Sequence, residues 1–437
     1  MESEKSSVAI TVIITVHNSE KFLRACLDSV ISQTFSDIEI LCIDGGSKDQ
    51  SPQILEEYAQ KDKRIQIVND QNTSYGYKVN KGICLARGEY ISVLESDDMY
   101  LPNMLENLYA IAKKYKPDYV NADYLEFRMI DGRRYETAVR MYQALDYNRC
   151  IESSKHPENM RQILRYWTGI FKKEFLIKKD IKMNESAGAS FQDMSFRFLT
   201  SALADSCFHL DMPVYLYRVD NEDSSVHNPE KAVVIADEYD FLRAELERRQ
   251  IENGDIWRHF YTWKYNDFYG NLIRFGGEAR RALYERGYRE LDRDRKYLEE
   301  HNGKKYSQVL ADLLEKSKEA IRKDIEEKYE YYIKKNIERE QFYRKVKDNK
   351  IVIFGCGQYG KSVLDTLYSE KNQICCYTDN NQELWYTSQG GYQIIPPEEA
   401  VKHYKDALYI VANKLYSNEI IDQLKMMGVW KIQQWLK

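Results

Sequence analysis

Short runs of β-branched and aliphatic residues alternate with helical patterns over the first hundred residues of this chain. The runs predict four strands, and the segments between them predict amphipathic helices. The predicted strands are Val8–Val16, Ile38–Ile43, Ile65–Val68 and Tyr90–Leu94, and the predicted helices run from about Glu20 to Ser32, Pro52 to Gln60 and Lys78 to Ala86. Strands and helices that alternate at this spacing form a mostly parallel sheet covered by helices. The sequence therefore predicts an α/β domain at the start of the chain.

Polar residues stand where these predicted strands end. His17 and Asn18 follow the first strand, and Asp44 follows the second. Asp97 and Asp98 come shortly after the fourth. The carboxyl ends of parallel strands meet at one edge of a sheet, and ligands of open α/β sheets bind beyond that edge. We therefore expect these residues to lie together around a ligand.

The densest polar group is an acidic cluster of three carboxylates within four positions, at Glu95, Asp97 and Asp98. Buried carboxylates are rare unless they are paired, so a cluster at the mouth of a sheet needs a cation or water. A hard divalent cation that itself carries a diphosphate is a natural partner. Considered by itself, the cluster favours a solvated turn over a cation site.

The rest of the chain changes character twice. From Met99 to His227 the pattern is mixed, with short strands and irregular loops. From Pro229 to Lys347 the sequence is dense in Glu, Lys, Arg and Tyr, and Pro229 is its single proline, which predicts helices. A new α/β pattern begins at Lys350. We predict three domains, at residues 1–228, 229–347 and 348–437.

The last of these domains opens on a glycine loop. The predicted strand Ile351–Phe354 precedes the loop, a helix follows from Lys361, and a second strand, Ile374–Thr378, ends at Asp379. The loop glycines are Gly355, Gly357 and Gly360. This arrangement is typical of a dinucleotide-type phosphate loop, although a purely structural glycine turn has the same pattern. The remaining length leaves room for about two more strands, at most half of a full dinucleotide fold.

The bulk composition excludes several classes of protein. A formal net charge of −5 gives no electrostatic footprint for nucleic acid. The eight cysteines lack metal-ligand spacing and fit a reducing compartment. The longest apolar run, Ile10–Val16, is too short to span a bilayer. We expect a cytoplasmic protein without nucleic-acid partners, whose membrane contact, if any, is peripheral and at the inner face of the membrane.

Several motifs in the first half of the chain occur in a familiar order. They are Ile13–Leu23, Cys26–Val30, Gln33–Phe35, Ile43–Asp49, Gly82–Ile83, Ala86–Ile91 and Glu95–Asp98 followed by Leu101 and Pro102. Together they resemble the family 2 glycosyltransferases of the GT-A fold over residues 8–227. The segment from Lys350 resembles small Rossmann-like domains appended to enzymes of polysaccharide and glycoprotein biosynthesis. The implied fold class is α/β, with a GT-A nucleotide-sugar-binding domain, a helical middle segment and a small C-terminal Rossmann-like domain.

The resemblance implies a donor site for a nucleotide-sugar. Its donor-binding residues would be His17, Asn18, Asp44, Asp97 and Asp98, and a divalent metal, Mn²⁺ or Mg²⁺, would be held by Asp98 with Asp97. His17 would stack on the base, although simple loop packing is the alternative. Many relatives carry a second Asp directly after the position of Asp44, where this chain has glycine. That departure leaves base selection open.

The resemblance also implies an acceptor side. A second acidic motif, usually a Glu-Asp pair, is Gln192–Asp193 here, so Asp193 alone is the candidate base for the acceptor hydroxyl. Its alternative role is to stabilise the dipole of a following helix. Trp167 would lie against the acceptor sugar, with core packing as the alternative. His227 would reach the metal or the diphosphate, with an exposed loop as the alternative.

The resemblance therefore implies an inverting, metal-assisted glycosyltransferase of polysaccharide or glycoprotein glycan synthesis, with Asp193 as the base. The acceptor would be a glycan, lipid-linked or protein-linked, and the helices with the C-terminal domain would serve assembly, for example in a homo-oligomer. A catalytically degenerate binding or scaffold protein is the alternative, because the chain lacks the second Asp and the Glu of the two acidic motifs. A dehydrogenase or epimerase led by the C-terminal loop is disfavoured by the small size of that domain.

Overall fold

The structure is a computed structural model that describes residues 8–142, 144–153, 160, 164–224, 228–300 and 307–435. The described residues fall into two compact units. Unit 1 takes those within Met1–Tyr124, Arg140–Tyr217 and Asn221–Ile333, and unit 2 takes those within Leu125–Val139, Arg218–Asp220 and Lys334–Lys437. These units are defined by proximity rather than by independent folding, so the division at residues 228 and 347 stays a prediction.

Unit 1 is built around a mixed sheet whose first four strands are parallel. The strands of the first half of the chain are β1 (Val8–Val16), β2 (Ile38–Asp44), β3 (Ile65–Asn69), β4 (Gly88–Glu95), β5 (Met99–Tyr100), β6 (Tyr119–Ile130), β7 (Arg133–Val139), β8 (Cys150–Glu152), β9 (Gly169–Lys172) and β10 (Ser206–Arg218). Their order is β3-β2-β1-β4-β9-β6-β10-β5, with β8 paired to β10. β1 is parallel to β2 and β4, whereas β9 is antiparallel to β4. The predicted parallel sheet is confirmed.

Helices cover this sheet with their apolar faces. They are α1 (Leu23–Ile31), α2 (Ser51–Lys61), α3 (Tyr75–Leu85), α4 (Met104–Tyr115), α5 (Lys173–Lys178) and α6 (Asp193–Leu203). The buried residues of α1 are Leu23, Cys26, Leu27 and Val30, the spacing of one helix face. α3 begins three residues before the predicted start, because the Ser74 side chain caps it by accepting a hydrogen bond from the Tyr77 amide at 3.3 Å.

The middle of the chain is helical, as predicted. Its helices are α7 (Val234–Arg248), α8 (Gly254–Arg274), α9 (Gly277–Glu300), α10 (Gln308–Glu315) and α11 (Lys318–Val346). The high charge density does not prevent a core, because buried charges pair. Lys264, which is fully buried, lies 2.9 Å from Glu290 and 2.7 Å from Asp294. Among the described residues, no helix combines the length and apolarity needed to cross a membrane.

Unit 2 contains a second sheet. Its strands are β11 (Ile351–Phe354), β12 (Ile374–Thr378), β13 (Ser388–Gln389), β14 (Tyr392–Ile395), β15 (Leu408–Val411) and β16 (Ile432–Gln434), and its helices are α12 (Gln358–Thr366), α13 (Pro397–Tyr404) and α14 (Ser417–Met426). The parallel order is β14-β12-β11-β15-β16, with β13 antiparallel at the edge. The sequence predicted β11 and β12 and about two further strands, whereas the structure has four more, β13 to β16, in the described part of the chain. The sheet is therefore larger than expected.

The hairpin formed by the second half of β6 and β7 also belongs to unit 2. Tyr135 lies 4.7 Å from Tyr343 of α11, measured between ring centroids. Arg133 pairs with the buried Glu370 at 2.6 Å. Ile130 joins the same apolar cluster as the C-terminal strands. Residues 125–139 thus pack with the last hundred residues of the chain, which their position in the sequence does not suggest.

Candidate active site

The carboxyl ends of β1, β2 and β4 meet at one edge of the unit 1 sheet. Val16 is opposite Asp44, and Thr15 is opposite Glu95. The chain passes from β1 to β2 to β3 in one direction, and β4 lies on the other side of β1. Open α/β sheets bind ligands where the strand order reverses in this way. The structure therefore brings Asp44 and the acidic cluster to the edge where a ligand is expected.

Two loops are joined beyond β1 and β2. His17 Nδ1 lies 3.0 Å from the Gly45 carbonyl oxygen, and the Asn18 amide donates to the Ser47 hydroxyl at 2.9 Å. Asp44 is 5% exposed and accepts hydrogen bonds from the amide and the hydroxyl of Ser47, the latter at 2.5 Å. Asp44 thus closes the turn that fixes the exposed ring of His17 at the mouth of the sheet.

Asp97 and Asp98 are held by uncharged donors. The Tyr215 hydroxyl donates to Asp98 Oδ2 at 2.8 Å, and Asp98 is 1% exposed. The Asn221 side-chain amide donates to Asp97 Oδ2 at 2.8 Å. Because a hydroxyl and an amide carry no net charge, these bonds orient the two carboxylates without neutralising them.

The two aspartates fit a divalent cation that is completed by other ligands. Carboxylate oxygens are the ligands that Mg²⁺ and related hard ions prefer. Within the described residues, no group of three or more His, Cys, Asp or Glu side chains could hold a metal ion. Mg²⁺ usually takes several of its ligands from substrate phosphates and water, so a pair of carboxylates is compatible with such an ion.

Glu95 has a different environment from its two acidic neighbours. The hydroxyls of Tyr75 and Tyr166 both donate to its Oε1, the latter at 2.5 Å, and they lie 2.9 Å from each other. Burial raises the pKa of Glu95 to about 7, although the tyrosine hydrogen bonds oppose this rise; the charges of Asp97 and Asp193 add to it. Asp193 therefore lies near enough to Glu95 for their charges to interact.

Asp193 is the first residue of α6 and is paired with an arginine of the same helix. Arg197 Nη1 donates to Asp193 Oδ2 at 2.9 Å, and Arg197 Nε donates to the Leu164 carbonyl at 2.9 Å. Arg197 is buried, whereas 20% of the Asp193 side chain is exposed. A helix N-terminus that reaches solvent is compatible both with the dipole-stabilising role and with a base that meets an acceptor.

Gln192 has a structural role that a glutamate could not perform. Its side-chain amide donates to the carbonyls of Gly188 at 3.0 Å and Ser186 at 3.3 Å, and its oxygen accepts from the Ser190 amide. A carboxylate has no N–H donor, so glutamate at this position would lose the first two bonds. The departure from the Glu-Asp pattern thus holds the loop that precedes Asp193.

Helix α7 supports the same loop through Glu238. Its Oε1 accepts hydrogen bonds from the Ser186 hydroxyl at 2.7 Å and from the Asn184 amide at 3.1 Å. Glu238 is fully buried, and this burial raises its pKa to about 7. Helix α7 of the helical segment therefore contributes to the surroundings of Asp193.

Sequence reasoning missed the side chains that hold the acids. They are Tyr75, Tyr166, Tyr215, Asn221 and Arg197, and sequence reasoning also missed Glu238, which holds the loop before Asp193. Most of them are far in sequence from the residues that they contact, and Glu238 lies on a helix whose packing the sequence does not predict. No local sequence pattern therefore identifies them. Arg197 is the exception, because its spacing from Asp193 is that of one helical turn.

Trp167, the predicted acceptor-binding residue, lies among other aromatic side chains. Trp167 is 8% exposed and stacks on Tyr217 with a centroid distance of 5.1 Å. It also contacts Tyr215 at 4.6 Å and Tyr124 at 4.8 Å. Its surroundings favour the alternative of core packing, and the contact to an acceptor sugar stays a prediction. His227 lies outside the described residues.

The glycine loop of unit 2 is closed by its own acid. Asp379 Oδ2 accepts a hydrogen bond from the Cys356 amide at 3.0 Å. Gly355 has a φ of +111°, and a Cβ at Gly360 would lie 2.1 Å from the Gly355 carbonyl oxygen, whereas a Cβ at Gly357 would meet nothing within 4 Å. Two of the three glycines are thus required by local packing, which favours the structural interpretation of the loop.

Comparison with known proteins identifies two segments. Residues 11–181 match the family described as glycosyl transferase family 2, and residues 347–433 match the family described as C2185-like, N-terminal. The glycosyltransferase GlyG of Streptococcus pneumoniae is 29% identical over 48% of this chain and 71% of its own length. The uncharacterized glycosyltransferase EpsJ of Bacillus subtilis is 29% identical over 51% of this chain and 64% of its own length.

Solved structures resemble the chain more distantly. The crystal structure of S. aureus TarS 1-349 in complex with UDP-GlcNAc is 19% identical, covers 68% of this chain and 93% of that protein, and gives a TM-score of 0.41. The assignment to a family therefore rests on the sequence match of residues 11–181 and not on these structures. The matched residues include the ends of β1, β2 and β4.

Proposed function

We propose that this chain, whose residues 11–181 form a family 2 glycosyltransferase domain, transfers one sugar from a nucleoside diphosphate to an acceptor hydroxyl. The observation that supports this most is the position of Asp193. It lies within electrostatic range of Glu95, the last residue of β4, which Asp97 and Asp98 closely follow in the chain. A donor-binding edge and a separate carboxylate are the two parts that direct displacement of a diphosphate requires.

The donor would occupy the reversal point between β1 and β4. The His17 ring, fixed by the Gly45 carbonyl, offers a face for the nucleobase. Asn18 and Asp44 hold the turn beneath it. The diphosphate would lie toward Asp97 and Asp98.

Asp98, with Asp97, would hold a divalent ion. When bound, Mn²⁺ or Mg²⁺ at these carboxylates neutralises the charge that develops on the leaving diphosphate. Tyr215 fixes the orientation of Asp98, and Asn221 fixes that of Asp97. Oriented carboxylates reduce the entropy lost when the ion and the donor bind.

Asp193 would accept the proton of the acceptor hydroxyl as the new glycosidic bond forms. Attack from the face opposite the diphosphate gives inversion at the anomeric carbon. Arg197 fixes the carboxylate of Asp193 by a hydrogen bond. Gln192 and Glu238 fix the loop that precedes Asp193. A positioned base of this kind contributes about 10²- to 10⁴-fold to the rate.

The alternative of a degenerate scaffold protein loses its main support. It depended on the two departures from the family pattern, at positions 45 and 192. Gln192 has a local structural role, and glycine at position 45 leaves room for a buried lysine side chain. Neither departure therefore indicates a site that has decayed.

A donor screen tests the proposal. Purified full-length chain is mixed with UDP-, GDP- and dTDP-sugars, with and without Mn²⁺, and thermal unfolding is followed, because a ligand of the native state stabilises it. We expect at least one donor to raise the unfolding temperature in Mn²⁺ and to be hydrolysed slowly, with both effects abolished by chelator. The absence of stabilisation and hydrolysis with every donor would contradict the proposal.

A further inference from the structure

Exposed lysines lie at the amino ends of neighbouring parallel strands in unit 2. β15 lies between β11 and β16 and is parallel to both. The Lys350 carbonyl accepts a hydrogen bond from the Leu408 amide at 2.7 Å, and the Lys431 carbonyl accepts one from the Tyr409 amide at 2.9 Å. Lys350 and Lys431 therefore flank the start of β15, and Lys405 shortly precedes that strand.

Two helices add lysines to the same edge of the sheet. Short connections join the end of α13 to β15 and the end of α14 to β16. Lys402 and Lys425 lie in the last turns of these helices, where a cation stabilises the helix dipole. That role does not account for Lys350 and Lys431, which lie outside the helices. We call the exposed lysines Lys350, Lys402, Lys405, Lys425 and Lys431 the lysine edge.

The lysine edge has an excess of positive charge. The aspartates nearest to it in the sequence are Asp348, Asp406 and Asp422. Asp348 pairs with Arg133 at 3.2 Å, so a cation outside the lysine edge balances it, and Asp422 pairs with Lys425 at 3.6 Å. The lysines therefore outnumber the acids that remain to balance them, which favours an anionic partner.

One turn at this edge presents two large apolar side chains to solvent. Met426 is 89% exposed and Trp430 is 79% exposed. Val429, between them, is fully buried, and its amide donates a hydrogen bond to the Leu424 carbonyl at 2.9 Å. Because the turn is fixed in this way, the chain loses little backbone freedom when the two exposed side chains bind a partner.

We propose that this edge of unit 2 docks on the surface of an anionic lipid membrane. Met426 and Trp430 would insert among the lipid headgroups, and the lysine edge would contact their negative charges. The two parts adjoin, because a Cβ at Gly428, in the same turn, would lie 3.2 Å from Lys405 Nζ. Apolar insertion and a basic patch together give stable peripheral binding, whereas protein interfaces are depleted of lysine. This inference goes beyond sugar transfer and does not depend on it.

Sedimentation of the full-length chain with lipid vesicles tests the proposal. We expect binding to phosphatidylcholine vesicles that contain about 30% phosphatidylglycerol, and no binding to phosphatidylcholine alone. About 0.5 M NaCl should release most of the protein, because salt screens exposed charges. Trp430→Ala should weaken binding about 10- to 100-fold, and the double variant Lys405→Gln, Lys431→Gln about 10- to 30-fold.

Leu415→Ser is the matched control. Leu415 is 79% exposed, like Trp430, but it follows β15 and so lies at the opposite end of that strand. Its replacement should leave vesicle binding unchanged. Thermal unfolding verifies that the variants are folded, which is expected because each replaced side chain is exposed.

Three results would overturn the proposal. They are failure of the wild type to bind the anionic vesicles, equal binding to both kinds of vesicle, and an equal loss of binding in Leu415→Ser and Trp430→Ala. A second copy of the chain is the other occupant to test. A dimer that forms without lipid in analytical ultracentrifugation, and that Trp430→Ala dissociates, would assign the edge to self-association instead.

Discussion

Replacement of Glu238 by glutamine should remove a pH-dependent loss of stability in unit 1. Burial raises the pKa of Glu238 from 4.5 to about 7. The folded state therefore binds more protons than the unfolded state between these two values, so its stability falls as the pH rises through this window and is constant above it. The pKa difference of about 2.5 units corresponds to a loss of about 3 kcal/mol.

Glutamine keeps the contacts and removes the titration. Its carbonyl oxygen can accept the hydrogen bonds from Ser186 and Asn184, and its amide replaces Oε2, an atom without a hydrogen-bond partner among the described residues. Any cost of burying that amide is the same at every pH. The change in unfolding free energy caused by Glu238→Gln should therefore be more favourable at pH 8 than at pH 5 by about 2–3 kcal/mol.

Urea unfolding of both proteins at pH 5 and pH 8 measures this double difference. Glu247→Gln, which removes an exposed carboxylate from the same helix, controls for the loss of one charge. Equal effects of Glu238→Gln at the two pH values would refute the reasoning, because Glu238 would then have the same charge in both conditions.

Other substitutions probe the acidic edge, the glycine loop and the helical core. Tyr215→Phe removes the hydrogen bond to Asp98 and should raise the Mn²⁺ concentration for half-maximal activity about tenfold, measured by titrating Mn²⁺ at fixed donor. Gly360→Ala places a Cβ 2.1 Å from a backbone oxygen and should lower the stability of unit 2 by about 2–3 kcal/mol, whereas Gly357→Ala, which meets open space, should be tolerated in the same thermal unfolding assay. Lys264→Met removes one of the cations paired with two buried carboxylates, which keep Arg243, Arg286 and Arg293 as partners, and should cost about 2–3 kcal/mol in urea unfolding.

The sequence predicts where the strands of this protein end better than it predicts which side chains bind the acidic residues near those ends. Asp44, Asp97 and Asp98 are placed correctly at one edge because a parallel sheet aligns the ends of its strands. Tyr166 and Tyr215 are not predictable in the same way. They reach the acids from residues more than seventy positions away, and only the packed fold brings them there.

The departures from the family pattern are the clearest limit of sequence reasoning. From the sequence, Gly45 suggests that a carboxylate has been lost. In the structure, the Lys78 side chain occupies the space that a side chain at position 45 would need. From the sequence, Gln192 suggests that an acid has been lost. In the structure, its side-chain amide donates hydrogen bonds to two carbonyl oxygens of its own loop. For Trp167 the sequence suggests a functional role, as an aromatic residue before the acceptor site. In the structure, its side chain is buried and stacks on Tyr217.

Asp193→Asn tests the central claim most directly. Asparagine keeps the size of the side chain and can still accept from Arg197 through its carbonyl oxygen, but it cannot take the proton of an acceptor hydroxyl. With the donor found in the screen and its acceptor, the turnover number should fall by about 10²- to 10⁴-fold while the donor dissociation constant, measured by calorimetry, stays within about threefold. A folded Asp193→Asn protein that transfers sugar at the wild-type rate would contradict the account.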